Sequence, residues 1–346
     1  MRPPMLRPTY PFKPIGSLAL LAQTLGVSVE HLQLLAAQAN SLYRLAKPIV
    51  KPDGSIRQPL DAKPPLKELH RRITERILLR VMYPLYLTGS LKGTEAKKNA
   101  EMHTGKRIVI CDDIKSFFPS ITAQAVNDVW RGLFGFPPQV ASLLTALTTK
   151  DRQLPQGAIP SSYLANLILW RHEPELHAEF AAQGITYSRY VDDICVSSVD
   201  FMSKEAQTQV IGKVYGMLAK VGLKPKRSKH ETYSRSTRMV TTKLVVNKKA
   251  SLPQQRRSQI RAAVHHLEIE SAAAGHLDEL PRLGSVSVQV GQMNRFHPTQ
   301  AVDLRGRLKE LRAIRSELSP QGPIVPVEAL GQSRQDFDSP EVPPWE

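Results

Sequence analysis

Ser188–Ser198 reads SRYVDDICVSS, a run in which two adjacent aspartates, Asp192 and Asp193, interrupt otherwise apolar, β-prone text. Tyr190 and Val191 before them and Ile194, Cys195 and Val196 after them favour extended backbone, while Asp-Asp is tolerated in a tight turn. The stretch predicts a β-hairpin with its carboxylates at the bend. Two like charges side by side repel unless cations lie between them, so the pair is either a solvated surface turn or part of a cation site. Other parts of the chain must decide between these.

A second acidic stretch lies upstream. Arg107–Ile114, RIVICDDI, is a buried-strand pattern that ends in carboxylates. Alternation puts Val109, Cys111 and Asp113 on one face and Ile108, Ile110 and Asp112 on the other. Metal binding would account for an apolar strand ending in acids, and so would a terminus reaching solvent. KSFFPSI, Lys115–Ile121, follows with paired aromatics and a proline expected to stop the strand. Between the acidic stretches, Leu154–Leu169, LPQGAIPSSYLANLIL, predicts a glycine-containing loop leading into a helix capped by Ser161 or Ser162. Gly157 would let backbone approach a ligand closely.

Bulk composition narrows the function classes. The chain has 346 residues, formal net charge +16 and a pI near 9.9, a balance suited to a polyanion binder, nucleic acid first. No apolar run approaches the roughly 20 residues that span a bilayer, so no membrane partner is expected. MRPPMLRPTYPF, Met1–Phe12, lacks the apolar core of a secretory signal, and the expected location is cytoplasmic. Cys111 and Cys195 are the only cysteines, which excludes a disulfide framework. The histidines show no zinc-ligand spacing, and GSLKGT, Gly89–Thr94, is not a phosphate-binding P-loop.

Residues 17–45 read as two amphipathic helices with Ser28 capping the second; LAQTLGVSVEHLQLL also resembles a helix-turn-helix, so a DNA-binding regulator is a rival reading. Asp53-Gly54 predicts a hairpin flanked by Lys51 and Arg57, whose cations could grip a triphosphate. Leu66–Tyr86 reads as a helix, residues 122–148 as helical with breaks at Gly132–Pro138, and about 171–182 as a further helix. Lys204–Val221 is expected as a helix, Gly222–Tyr233 as a basic connector and Val240–Asn247 as a strand. Gln254–Ala274 and Asp303–Leu318 predict basic amphipathic helices, the first with Arg256, Arg257 and Arg261 off its apolar stripe. From Ser319 the chain is rich in proline and glycine and expected to be disordered.

In chain order, CDDIKSFFPSI, LPQGAIPSSYLANLIL and YVDDICVS resemble the first catalytic motif, the nucleotide-pocket motif and the Y-x-D-D box of reverse transcriptases. Asn99–His103, NAEMH, is similar to the NAxxH element of the bacterial retron type. The resemblance covers about residues 46–318 and implies an α+β, right-hand polymerase fold: fingers, an antiparallel-sheet palm and a helical thumb. The implied division is N-terminal helices at 1–45, fingers and NAxxH region at 46–105, palm at 106–250 with a fingers insertion at about 122–153, thumb at 251–318, and a tail at 319–346.

The resemblance implies Asp113, Asp192 and Asp193 as the catalytic triad holding two Mg2+ ions, with Asp112 the alternative in the first strand. Phe118 would be the aromatic gate that rejects a 2′-hydroxyl, Gln156 and Gly157 would line the incoming dNTP, and Lys51 and Arg57 would hold its phosphates. Lys229 is placed as a candidate acid for the leaving pyrophosphate. Asn99, His103, Arg256, Arg257 and Arg261 are the candidate RNA contacts. The implied activity is RNA-directed DNA synthesis on a structured noncoding RNA, giving an msDNA-like RNA–DNA hybrid product. The implied setting is anti-phage defence, with an accessory effector protein as candidate partner. Where the retron type carries V-T-G this chain has Val240, Thr241 and Thr242, which leaves another defence-associated reverse transcriptase, with a different template or none, as the alternative. A group II intron enzyme fits less well, because little sequence follows the expected thumb.

Overall fold

The computed structural model describes residues 6–50, 54, 56–273 and 282–318. The chain divides into two compact units, Met1–Pro253 and Gln254–Glu346.

The first unit begins with α1 (Leu18–Leu25) and α2 (Val29–Gln38). Ser28 caps α2 as its sequence predicts, accepting from the His31 amide at 3.1 Å. Leu21, Leu25, Leu32 and Leu35 are buried, whereas Leu20 and Leu34 face out. The chain continues through β1 (Tyr43–Leu45), β2 (Ile49–Val50), β3 (Ile56–Arg57), β4 (Leu60–Ala62) and α3 (Pro64–Arg76). β1 pairs with β4 and β2 with β3, so these strands pair across Gly54 as the expected hairpin requires; Lys51 and Asp53 lie outside the described residues. The helix expected to reach Tyr86 stops at Arg76: Ile77 leaves helical geometry at φ −122°, and Pro84 cannot continue the ladder.

Next come α4 (Ala96–Met102), β5 (Ile108–Asp113), α5 (Phe117–Ser120), α6 (Ala123–Asp128), α7 (Pro138–Thr148), α8 (Ser161–Leu167) and α9 (Glu173–Ala182). Neither Ser161 nor Ser162 caps α8. Its N-cap is Pro160, and the Ser161 hydroxyl is buried without a protein partner. The rival helix-turn-helix reading finds no support: α2 has no lysine or arginine with which to meet phosphate, and it packs against α7.

β6 (Thr186–Tyr190) and β7 (Asp193–Ser198) form the predicted hairpin, but its bend lies one residue earlier than expected, at Val191-Asp192: Val191 is not extended, with φ of 61°, and Asp193 opens β7 paired with Tyr190. α10 (Lys204–Ala219) and β8 (Glu231–Ser234) follow. These strands build one antiparallel sheet in the order β6-β7-β5-β8. β8 begins inside the text expected as a connector and ends one residue past it; its four residues are mostly exposed, so no apolar alternation marks it. β5 is central, and Ile108, Val109 and Ile110 are buried. Each such side chain contributes about 1.5–3 kcal/mol.

Val240–Asn247 is not one strand. It is a tight hairpin, β9 (Val240–Thr241) against β10 (Leu244–Val245), turning at Thr242 and Lys243 with φ of 47° and 65°. Two positive φ values at a two-residue loop favour Asn-Gly or Gly-Gly, so the pairing was masked by its residue choice.

The second unit is helical: α11 (Gln254–Ala273), α12 (Leu283–Phe296) and α13 (Pro298–Leu318). The three helices pack on one another, burying Ile260, Val264 and Leu267 of α11, Val286, Val290 and Met293 of α12, and Leu304 and Leu308 of α13. α12 is an element the sequence reading did not single out. The tail expected to be disordered, 319–346, lies outside the described residues. Among the described residues no single helix is long and apolar enough to cross a membrane.

Candidate active site

The sheet brings the two acidic stretches together. β5 and β7 run antiparallel with Asp113 opposite Asp193, and Tyr190 pairs with Asp193 across the hairpin, so Val191 and Asp192 form its two-residue loop. The Asp192 carbonyl accepts from the Ile114 amide at 3.0 Å, closing the loop onto the end of β5. Three carboxyl groups from two distant stretches thus converge at one end of the sheet.

Their electrostatics follow from that crowding. Burial pushes Asp192 up from its ordinary value, and the Asp113 charge adds to it, while Lys229 and Arg57 work the other way. Burial, then Asp192 and Asp113, push Asp193 up to about 6. Lys229 Nζ donates to Asp113 Oδ2 at 2.6 Å, and that hydrogen bond raises the lysine pKa and keeps it an ammonium. Carboxylates held against one another and relieved by a nearby cation are a donor set suited to a hard divalent ion. Among the described residues no three His, Cys, Asp or Glu side chains already enclose an ion position. Magnesium held by one or two carboxylates plus substrate phosphates does not need such a cage.

Alternation within β5 settles which aspartate faces this cluster. Asp112 points to the opposite side, where its Oδ1 accepts from Tyr215 OH at 2.8 Å and pairs with His230 Nδ1 at 2.9 Å. It is 6% exposed and committed to those partners. Because His230 follows Lys229 directly, this back-face contact also anchors the turn that carries the lysine. The Asp113 carbonyl accepts from the Lys226 amide at 2.7 Å and fixes the same segment from the front.

The other predicted residues fall as follows. Phe118 sits on α5, buried, its ring 5.8 Å from that of Phe117 in an edge-on contact. The Gln156 carbonyl accepts from the Leu60 amide at 2.8 Å. A Cβ on Gly157 would lie 2.5 Å from the Leu60 carbonyl oxygen. The glycine therefore makes room for β4; the close backbone approach it permits is to the protein's own strand. Arg57, exposed on β3, acts on Asp192 through space. In the helical unit Arg257 donates to Gln300 and Arg261 to Ser258, while Arg256 is half-buried.

Asn99 and His103 correct the sequence reading. Both are fully buried and neither can touch RNA in this state. Asn99 Nδ2 donates to Thr88 Oγ1 and Ser188 Oγ, and its Oδ1 accepts from Thr241. His103 bridges Ser188 and Ser197, each at 2.7 Å, and burial pushes it down to about 3, so it is a neutral imidazole with one nitrogen accepting. The motif ties α4 to β6, β7 and β9. Thr242, standing where the resemblance expects glycine, adopts the positive φ a glycine would favour; its hydroxyl donates to the Ala96 carbonyl at 3.1 Å, which offsets part of that strain.

Sequence reasoning missed Lys243, whose charge acts on Asp193 from the β9–β10 turn. It also missed the buried pair of Arg189 and Glu173, at 0% and 1% side-chain exposure. An arginine inside a β-prone run was the available signal for the latter.

Comparison with known proteins agrees with this geometry. Residues 49–257 match the family described as reverse transcriptase (RNA-dependent DNA polymerase). The chain is 34% identical over 315 residues to the retron Se72 reverse transcriptase of Salmonella heidelberg, spanning 90% of this chain and 83% of that one. Identity to the retron Ec48 reverse transcriptase of Escherichia coli is 27% over 315 residues, 87% of this chain and 77% of the relative. For the retron Ec86 reverse transcriptase of Escherichia coli it is 30% over 244 residues, 70% and 75% of the two chains. The matched range contains both acidic stretches and the glycine loop between them, and the chain belongs to the retron-type reverse transcriptases, that is, to the RNA-directed DNA polymerases.

Proposed function

We propose that this polymerase copies a structured noncoding RNA into single-stranded DNA that remains joined to RNA, by two-metal nucleotidyl transfer, in defence against phage. The observation that carries the chemistry is the register of Asp113 opposite Asp193 with Asp192 in the adjoining turn. Asp113 and Asp192 would hold the ions directly, with Asp193 beside them. Bound there, magnesium supplies activation of the attacking hydroxyl and charge compensation for the leaving pyrophosphate.

The chain's own residues then divide the remaining tasks. Lys229, kept protonated beside Asp113, would give its proton to the pyrophosphate oxygen. Arg57, with Lys51, would hold the triphosphate; Gln156 and Gly157 would line the nucleotide; Phe118 would exclude a 2′-hydroxyl so that the product is DNA. Thumb arginines Arg256 and Arg261 would track phosphates of the hybrid. The reading places the work in the cytoplasm, with dNTPs as substrates and a separate effector protein as the defence partner. Thr242 in place of glycine is the observation that keeps a different template in view.

Two measurements test the proposal. Asp192→Asn should abolish magnesium-dependent primer extension while RNA binding stays within a few-fold of wild type; synthesis at the wild-type rate would sink the metal assignment. Nucleic acid copurifying with the protein from its host should sequence as a branched RNA–DNA species whose RNA part is lost to RNase. Recovery of unrelated RNA only would favour the other template class.

A further inference from the structure

Val191 is the first residue of the two-residue hairpin loop and has φ of +61°, whereas Asp192 has no positive φ. That is a II′-like arrangement, whose first position belongs to glycine by preference. A β-branched residue there is a genuine outlier, and such strain persists only where surrounding structure over-determines it. The surroundings do so. Gly89 lies so close behind the turn that a Cβ on it would be 2.5 Å from the Val191 amide nitrogen. Arg189 Nη1 donates to the Val191 carbonyl at 3.0 Å, and Nη2 donates to the Asn166 carbonyl at 2.8 Å. The same guanidinium grips Glu173 with two bonds, Nε to Oε1 at 2.6 Å and Nη2 to Oε2 at 2.8 Å, and Tyr187 OH donates to Oε1 at 2.7 Å.

We infer that Arg189, neutralised by Glu173, is a positioning residue: it holds the strained Val191 carbonyl and so sets the direction in which Asp192 leaves the turn. Asn166 belongs to α8, the helix that follows the Gln156-Gly157 loop, so one buried cation joins that helix to the carboxylate turn. Burial works against the arginine's charge, yet the Glu173 carboxylate more than compensates and holds its pKa above the ordinary value. A fixed cation here needs no partner from substrate: its role is to keep two catalytic segments in one geometry before substrate arrives. The inference rests on the reading of Asp192 as a metal-holding residue.

The test uses the full chain and primer extension on an RNA template. Arg189→Lys keeps a charge but loses the planar fork, so kcat should fall roughly 10- to 100-fold. The KM for dNTP and the affinity for RNA should each stay within about three-fold, and the magnesium needed for half-maximal rate should rise. Val191→Gly removes the strain that the arginine restrains. In that background the loss caused by Arg189→Lys should shrink to less than about five-fold, a rescue that general destabilisation would not produce. If Arg189→Lys does not fold, the paired replacement Arg189→Met with Glu173→Met removes both buried charges at similar volume, a change often neutral for stability. It should keep a cooperative thermal transition and show the same kcat loss and the same rescue. Retention of kcat within three-fold in a folded variant overturns the inference, as does a loss that Val191→Gly leaves unchanged. An active Asp192→Asn variant would overturn the underlying reading; an inactive one alongside fully active Arg189 variants would overturn the positioning role alone.

Discussion

Replacing Asp193 with asparagine should make the metal-free protein more stable at neutral and alkaline pH. Its carboxyl is raised from 3.8 to about 6 by burial and by Asp192 and Asp113. A carboxyl with a higher pKa in the folded than in the unfolded state binds its proton more tightly when folded. Native stability therefore falls as pH rises from about 4 to about 6, and the full penalty is present above that. A rise from 3.8 to about 6 corresponds to roughly 3 kcal/mol. Asp193 keeps part of its surface in water, and screening reduces the expected penalty to about 1–2 kcal/mol. For a folding unit of this size that is roughly 2–8 °C in melting temperature. Thermal unfolding followed by far-ultraviolet circular dichroism in chelator, at about pH 8 and about pH 4.5, measures it. Asp193→Asn should melt higher than wild type at the upper pH and gain little at the lower. Added magnesium should raise wild type more than the variant, since ion binding relieves the same repulsion. A variant no more stable than wild type at the upper pH, or equally stabilised at both, would refute the account of the cluster as mutually repelling acids.

Phe118→Ala should raise ribonucleotide over deoxyribonucleotide incorporation by about ten-fold or more, read as the ratio of kcat/KM values. The ring is buried and packed on Phe117, so the variant also loses about 3 kcal/mol of stability and the ratio, not the absolute rate, is the measurement; an unchanged ratio puts the gate elsewhere. His103→Ala leaves the Ser188 and Ser197 hydroxyls without their imidazole and should destabilise the protein by about 2–4 kcal/mol, with RNA affinity of the folded protein unchanged. Normal melting with lost RNA binding would show instead that the histidine reaches RNA.

The hairpin that carries Asp192, the strand ending in Asp113, the Ser28 cap and the pairing of β2 with β3 were legible because each rests on interactions between near neighbours in the chain. Period-two alternation, turn chemistry and capping are local, and a short window contains all they need. The same alternation separated Asp112 from Asp113 but could not say which face was which. That was decided by Tyr215, Lys229 and His230, more than a hundred residues downstream, which take opposite sides of β5. Likewise Asn99 and His103 could be read as a motif but not as buried, because their partners Ser188, Ser197 and Thr241 reach them only through the sheet. β8 and the β9–β10 turn stayed hidden for a related reason: an exposed edge strand has no apolar rhythm, and Thr242-Lys243 occupies geometry that its residue types disfavour. Sequence alone thus determined which residues are candidates for the chemistry and the local shapes that present them. Tertiary structure decided which carboxylates meet and what restrains the strained turn between them, because burial and mutual repulsion are properties of neighbours that the chain brings together only when folded.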